Sequence, residues 1–201
     1  MKSSVQNAIE SRISINRFQA DRPLDDETIT SLVTLATKAP TAFNMQNWRF
    51  IAVRSPEGKN LLKASAWGQQ KIVDASVAFI ICGTLSAHQQ LAAALQPSVD
   101  AQIMEQRTVE GWVTSHENNA VLQRDEAVRS ASLGAMTLML AAEGMGLGSC
   151  PMIGFDAERV AKDFALLPTE LPLMVVVVGY PLDNNWPQKP RKPVADVLTL
   201  A

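Results

Sequence analysis

Two stretches of this chain carry no polar side chain at all: Val77-Ala78-Phe79-Ile80-Ile81-Cys82 and Leu173-Met174-Val175-Val176-Val177-Val178-Gly179. A strand with one wet face alternates apolar and polar residues, so an unbroken apolar run reads as a strand buried on both faces. Trp48 to Val53 reads as a further strand. Helical segments fall between these strands without regular strand–helix–strand spacing. A layered α+β domain therefore fits better than a doubly wound sheet.

The helices announce themselves by caps and periodicity. Asp25-Asp26-Glu27 opens one after Pro23, with Asp25 as cap and the acids at the positive helix end. Ile29, Leu32, Val33 and Ala36 follow at helical spacing, and Pro40 predicts a stop near Lys38. Ser55-Pro56-Glu57-Gly58 turns the chain into a short helix ending near Trp67. Residues 86–125 are polar and helical, with Pro97 expected as a break. Glu126 to Gly144 is apolar around nearly its whole circumference (Leu133, Met136, Leu140), as in a buried central helix or an interface helix. The run Gly144-Met145-Gly146-Leu147-Gly148 ends that helix in a tight turn towards the extended Ser149-Cys150-Pro151. Asp156-Ala157-Glu158-Arg159 starts one more short helix, reaching Leu167.

Composition excludes several classes. At 201 residues the chain is expected to form one domain, 1–201. Its 47% hydrophobic and 19% charged content excludes disorder, and a net charge of −2 argues against a nucleic-acid partner. Cys82 and Cys150 lack CxxC spacing and, with only His88 and His116 to join them, suggest no metal site. They read as buried thiols in a reducing compartment. Met1-Lys2-Ser3-Ser4-Val5-Gln6-Asn7 has no signal-peptide core, and no apolar run reaches membrane-spanning length. A cytoplasmic protein with no membrane partner is the expectation. The glycine run follows a helix instead of a strand, which removes a dinucleotide fingerprint. No nucleophile elbow, P-loop or HExxH is present, and Asp25-Asp26 reads as a cap. No side chain is singled out as catalytic, so any chemistry here belongs to a cofactor.

Two cationic segments lie near opposite ends: Ser11-Arg12-Ile13-Ser14-Ile15-Asn16-Arg17-Phe18 and Lys189-Pro190-Arg191-Lys192. Each offers the donors a phosphate dianion takes, and each also reads as solvated surface. The loop Pro40 to Asn47 offers amides and hydroxyls to the polar edge of a heterocycle, or is an ordinary Asn/Thr loop. Taken in order with Ala39-Pro40-Thr41-Ala42-Phe43-Asn44-Met45-Gln46-Asn47-Trp48, Gln69, Asp74-Ala75-Ser76, Gly146-Leu147-Gly148 and Pro151-Met152-Ile153-Gly154-Phe155-Asp156, these segments resemble the FMN-dependent nitroreductase family. The likeness runs over nearly the whole chain and is weakest in 86–125.

The resemblance implies a central, mostly antiparallel sheet flanked by helices, in an intertwined homodimer with FMN at the subunit interface. It matches Arg12, Ser14, Lys189 and Arg191 to positions that hold the flavin phosphate. Pro40, Thr41, Ala42 and Asn44 match a segment lying against the isoalloxazine ring of the partner subunit's flavin. Gln69 matches a polar residue near the pyrimidine edge, and Pro151, Ile153 and Gly154 belong to a segment whose backbone N–H groups face the central ring near N5. Three positions depart from the pattern. Asn16 stands where a cation usually supports the reduced flavin's negative charge, Ile13 replaces a commonly basic residue, and Gly68 replaces an Asn. Residues 86–125, with Glu105, Arg107, Trp112 and His116, would cover the substrate side.

The implied activity is NAD(P)H-linked reduction of a nitroaromatic or quinone-like acceptor by ping-pong hydride transfer through flavin N5. A flavin-dependent dehydrogenase or oxidase of one specific metabolite, and a non-catalytic flavin-binding protein, are the alternatives.

Overall fold

The computed structural model describes residues 4–201, so Met1, Lys2 and Ser3 of the N-terminal stretch read above lie outside it. The two apolar runs sit side by side at the centre of a four-stranded sheet ordered β1-β2-β4-β3, in which every neighbouring pair is antiparallel. The strands are β1 (Trp48–Val53), β2 (Val77–Thr84), β3 (Gly148–Met152) and β4 (Glu170–Gly179). Ile80 lies opposite Val175 and Ala78 opposite Val177.

Strand alternation then splits the runs between two cores. Ala78, Ile80, Cys82, Val175 and Val177 face one, with Leu62, Ile72 and Val160. Val77, Phe79, Ile81, Val176 and Val178 face the other, with Leu32, Ala131, Ala135 and Leu138. Both faces are dry, as the absence of polar residues demanded. Each fully buried side chain of this kind contributes about 1.5–3 kcal/mol.

The first core is covered by α3 (Pro56–Ser65), α4 (Lys71–Asp74) and α8 (Ala157–Asp163), the second by α2 (Asp26–Ala36) and α7 (Ala120–Gly144). The caps are as read. Thr28 N–H donates to Asp25 at 2.7 Å, and Arg159 N–H to Asp156 at 3.0 Å. Hydrogen bonds from Thr28, side chain first and backbone second, hold the Asp25 carboxyl below its usual range. α8 stops short of Leu167 because Ala165 turns left-handed at φ 50°. α7 begins six residues before Glu126, where Asn119 accepts from Leu122 N–H at 2.9 Å. It buries Ala127, Ala131, Ala135, Leu138 and Ala142, yet leaves Leu133 and Met136 exposed.

Residues 86–125 form α5 (His88–Asp100), α6 (Gln106–Glu117) and the start of α7. The expected break at Pro97 is absent, because Pro97 lies inside α5. It falls in the last turn, where its missing N–H removes a single helical bond and the chain leaves the helix soon afterwards. α1 (Ser4–Ser11) was not anticipated. It has no buried residue and leans on α7 through Ser11 Oγ, which donates to Glu143 at 2.6 Å.

At the end of α7, Gly146 takes φ 72° and the chain enters β3. A Cβ on Gly148 would lie 2.5 Å from Ile15 Cγ1, so only glycine lets residues 14–15 run against this edge. Ile15 N–H donates to Ser149 O at 2.9 Å, and Ser14 forms a parallel bridge with Ser149. Residues 186–201 are exposed throughout. Among the described residues, no helix is long and apolar enough to cross a membrane.

Candidate cofactor site

The two cationic segments meet. The bridge to β3 carries Arg12, Ser14 and Asn16 past the sheet edge, and the C-terminal segment returns beside them. Asn185 fastens the two: its Oδ1 accepts from Asn16 N–H at 2.7 Å and Arg17 N–H at 2.9 Å, while its Nδ2 donates to Arg17 O at 2.9 Å. Gln188 Nε2 adds a longer contact to Arg12 O at 3.3 Å. Between the segments lies a cleft of about 250 Å3, lined by Arg12, Ser14, Asn16, Lys189 and Arg191 and floored by Cys150 and Pro151. Arg12 Nη1 is buried and finds no acceptor among the described residues. A buried guanidinium N–H without a partner carries its full desolvation cost, which an anionic partner would offset.

Pro40, Thr41, Ala42 and Asn44 do not line this cleft. Their loop packs instead on α5 and α6, where Met45 joins Leu91, Leu95 and Val109 in a third apolar cluster. The Phe43 ring stacks on Trp112 at 4.4 Å and 19°. Thr41 Oγ1 accepts from Gln46 N–H at 3.0 Å and closes the loop. Within one chain, the expected site is thus divided into a cationic half and a loop half.

The Nitroreductase family profile matches residues 9–180, a span that includes the first cationic segment, the loop and all four strands. The chain belongs to the nitroreductase family. It is 33% identical over 192 residues to the inferred NAD(P)H nitroreductase MhqN of Bacillus subtilis, covering 92% of this chain and 93% of that one. It is 31% identical over 182 residues to an NADH dehydrogenase of Thermus thermophilus, covering 88% and 86%. An inferred nitroreductase of Exiguobacterium sibiricum, solved in complex with FMN, superposes with a TM-score of 0.91 at 26% identity, over 100% of this chain and 99% of that one.

In this chain, Gln69 sits in the turn before α4, and its Nε2 donates to Gly154 O at 2.9 Å. Gln69 and the Pro151–Gly154 segment are therefore one unit. Of this unit only Pro151 lines the cleft; Gln69, Ile153 and Gly154 do not, and Ile153 is 82% exposed. Lys71 was missed by the sequence reading. It lines the cleft from α4, with Nζ donating to Asn16 Oδ1 at 3.1 Å and standing 3.6 Å from Cys150 Sγ. No motif flags it, because a helix of four residues has no readable period. Asn185 was missed as well, since a lone Asn in a proline-rich tail carries no signal of its own.

The remaining reactive groups lie elsewhere. Burial, reinforced by Glu170, pushes the Cys82 thiol up to about 12. Glu170 itself pairs with Arg49 at 2.8 Å. His116 is buried, and its Nδ1 meets the Trp112 carbonyl at 2.8 Å, which requires the proton on Nδ1. Among the described residues, no group of three or more His, Cys, Asp or Glu is placed to hold a metal.

Proposed function

We propose that this chain is an FMN-dependent NAD(P)H oxidoreductase that reduces nitroaromatic or quinone-like acceptors, working as a homodimer with each flavin held between two subunits. The observation that carries the reading is the buried, unpartnered Arg12 Nη1 in a cleft shared with Ser14, Lys189 and Arg191. That donor set fits the dianionic phosphate of FMN, which would leave Arg12 no longer orphaned.

When bound, FMN would supply the hydride-transfer chemistry between NAD(P)H and the acceptor. The protein's part is binding, orientation and charge. Arg12, Ser14, Lys189 and Arg191 bind the phosphate. Lys71, held by Asn16 Oδ1, would supply to a flavin bound there the positive charge that Asn16 lacks. Gln69 holds Gly154 O and so fixes the backbone of Pro151, Ile153 and Gly154, which would lie along the bound flavin.

Pro40, Thr41, Ala42 and Asn44 complete the site from the partner subunit. Three observations support that division. The loop half lies away from the cleft in its own chain, α7 leaves Leu133 and Met136 exposed, and the tail leaves Val194, Val197, Leu198 and Leu200 exposed. A second copy would bury such apolar surface.

The test is the visible spectrum of FMN-loaded protein under anaerobic NADH or NADPH, followed by addition of a quinone. Bleaching by a nicotinamide and recovery on quinone addition are expected. Protein that FMN cannot turn yellow would sink the reading, and a bound flavin that neither nicotinamide bleaches would limit the protein to flavin binding or to another reductant.

A further inference from the structure

Three left-handed residues other than glycine crowd into four positions of the loop: Phe43 at φ 53°, Asn44 at φ 59° and Gln46 at φ 48°. Asparagine tolerates this region, but the Cβ of phenylalanine makes it unfavourable. The turn's own bonds, Asn44 N–H to Thr41 O at 3.2 Å and Met45 N–H to Ala42 O at 2.9 Å, span Phe43 but do not engage its ring. Strain of this kind persists only where the surroundings hold it.

The ring is held by α6. The left-handed turn lays the Phe43 ring on Trp112 at 4.4 Å, with the His116 ring edge-on at 5.9 Å. The α6 backbone at Trp112 is tied locally, its carbonyl accepting from both His116 Nδ1 and Ser115 Oγ at 2.8 Å.

We propose that Trp112 is a positioning residue: by clamping Phe43, it keeps Thr41, Ala42 and Asn44 in the backbone shape they present to the partner subunit's flavin. The inference rests on the function proposed above and adds a residue to it. The lobe of α5 and α6 is thereby coupled to the flavin through one aromatic stack. Any movement of α6 changes how the ring is held.

The experiment measures FMN affinity by fluorescence quenching and the visible circular dichroism of bound flavin, on the full-length dimer. Trp112→Ala should weaken FMN roughly tenfold and alter the dichroism, the size expected for losing one aromatic stack. Trp112→Phe keeps a stacking ring and should stay within about twofold of wild type. Adding Phe43→Gly to Trp112→Ala should recover most of the loss, because glycine adopts φ 53° unaided. Should Trp112→Ala fail to fold, Phe43→Gly against Phe43→Ala decides: both lack the ring, and the glycine variant should bind FMN more tightly. Wild-type affinity and dichroism in Trp112→Ala, or equal binding by the two Phe43 variants, overturns the inference alone. A wild-type protein that binds no FMN overturns the flavin reading and this inference with it.

Discussion

At the scale of single residues, the chemistry turns on where positive charge sits. Asn16 is neutral, yet its Oδ1 holds the Lys71 ammonium at the cleft wall. A charge so placed favours electron uptake by a flavin, because reduction adds negative charge nearby. Lys71→Met should therefore shift the two-electron midpoint potential of bound FMN downwards, on the order of 30 mV for one lost charge interaction of about 1.4 kcal/mol. A reductive titration against a reference dye reads this directly. An unchanged potential would show that Lys71 serves only the fold. Arg12 differs in kind: its unsatisfied Nη1 marks an anion site, so its loss should weaken binding much more than it shifts potential.

At the scale of elements, β2 shows how burial on both faces sets chemistry. Cys82 sits in the first core, and burial with Glu170 raises its thiol from the ordinary 9.0 to about 12. Because the fold keeps the proton that the unfolded chain releases, stability from this group is complete below about pH 9 and declines as pH rises towards 12. Cys82→Ala should flatten that alkaline decline in denaturant-unfolding midpoints measured from pH 8 to 11, and an unaltered slope would contradict the assignment.

The same burial explains what the sequence disclosed. β2 and β4 were legible because nothing polar interrupts them, and α2 and α8 because Asp25 and Asp156 cap them. α4 was invisible, being a single turn, and Lys71 was hidden with it. α1 has no buried residue to give it a period. Pro97 misled because proline breaks a helix interior, whereas this one lies in a last turn. The cationic segments were each ambiguous alone, and only the sheet edge at Ser149 brings them together.

At the scale of the whole molecule, the cleft and the loop lie apart within one chain. Arg12 and its neighbours form the cleft, while Ala42 and Asn44 lie on the α5–α6 lobe. In a symmetric dimer each flavin would take one half from each subunit. Two defective variants should then complement each other. Arg12→Ala disables the phosphate half and Ala42→Trp obstructs the ring half, so mixed and re-equilibrated dimers should regain about a quarter of the wild-type sites, since half the dimers are mixed and each holds one intact site. No recovery in fully exchanged dimers would place the whole site within one subunit.

In the function proposed above, the converging Arg12 and Lys189 segments hold the phosphate of FMN. The most direct test is a paired titration of the apoprotein with FMN and with riboflavin, which differ only in that phosphate. FMN should bind tighter by on the order of a hundredfold, and Arg12→Ala should erase most of the difference. Riboflavin bound as tightly as FMN by the wild-type protein would contradict the claim.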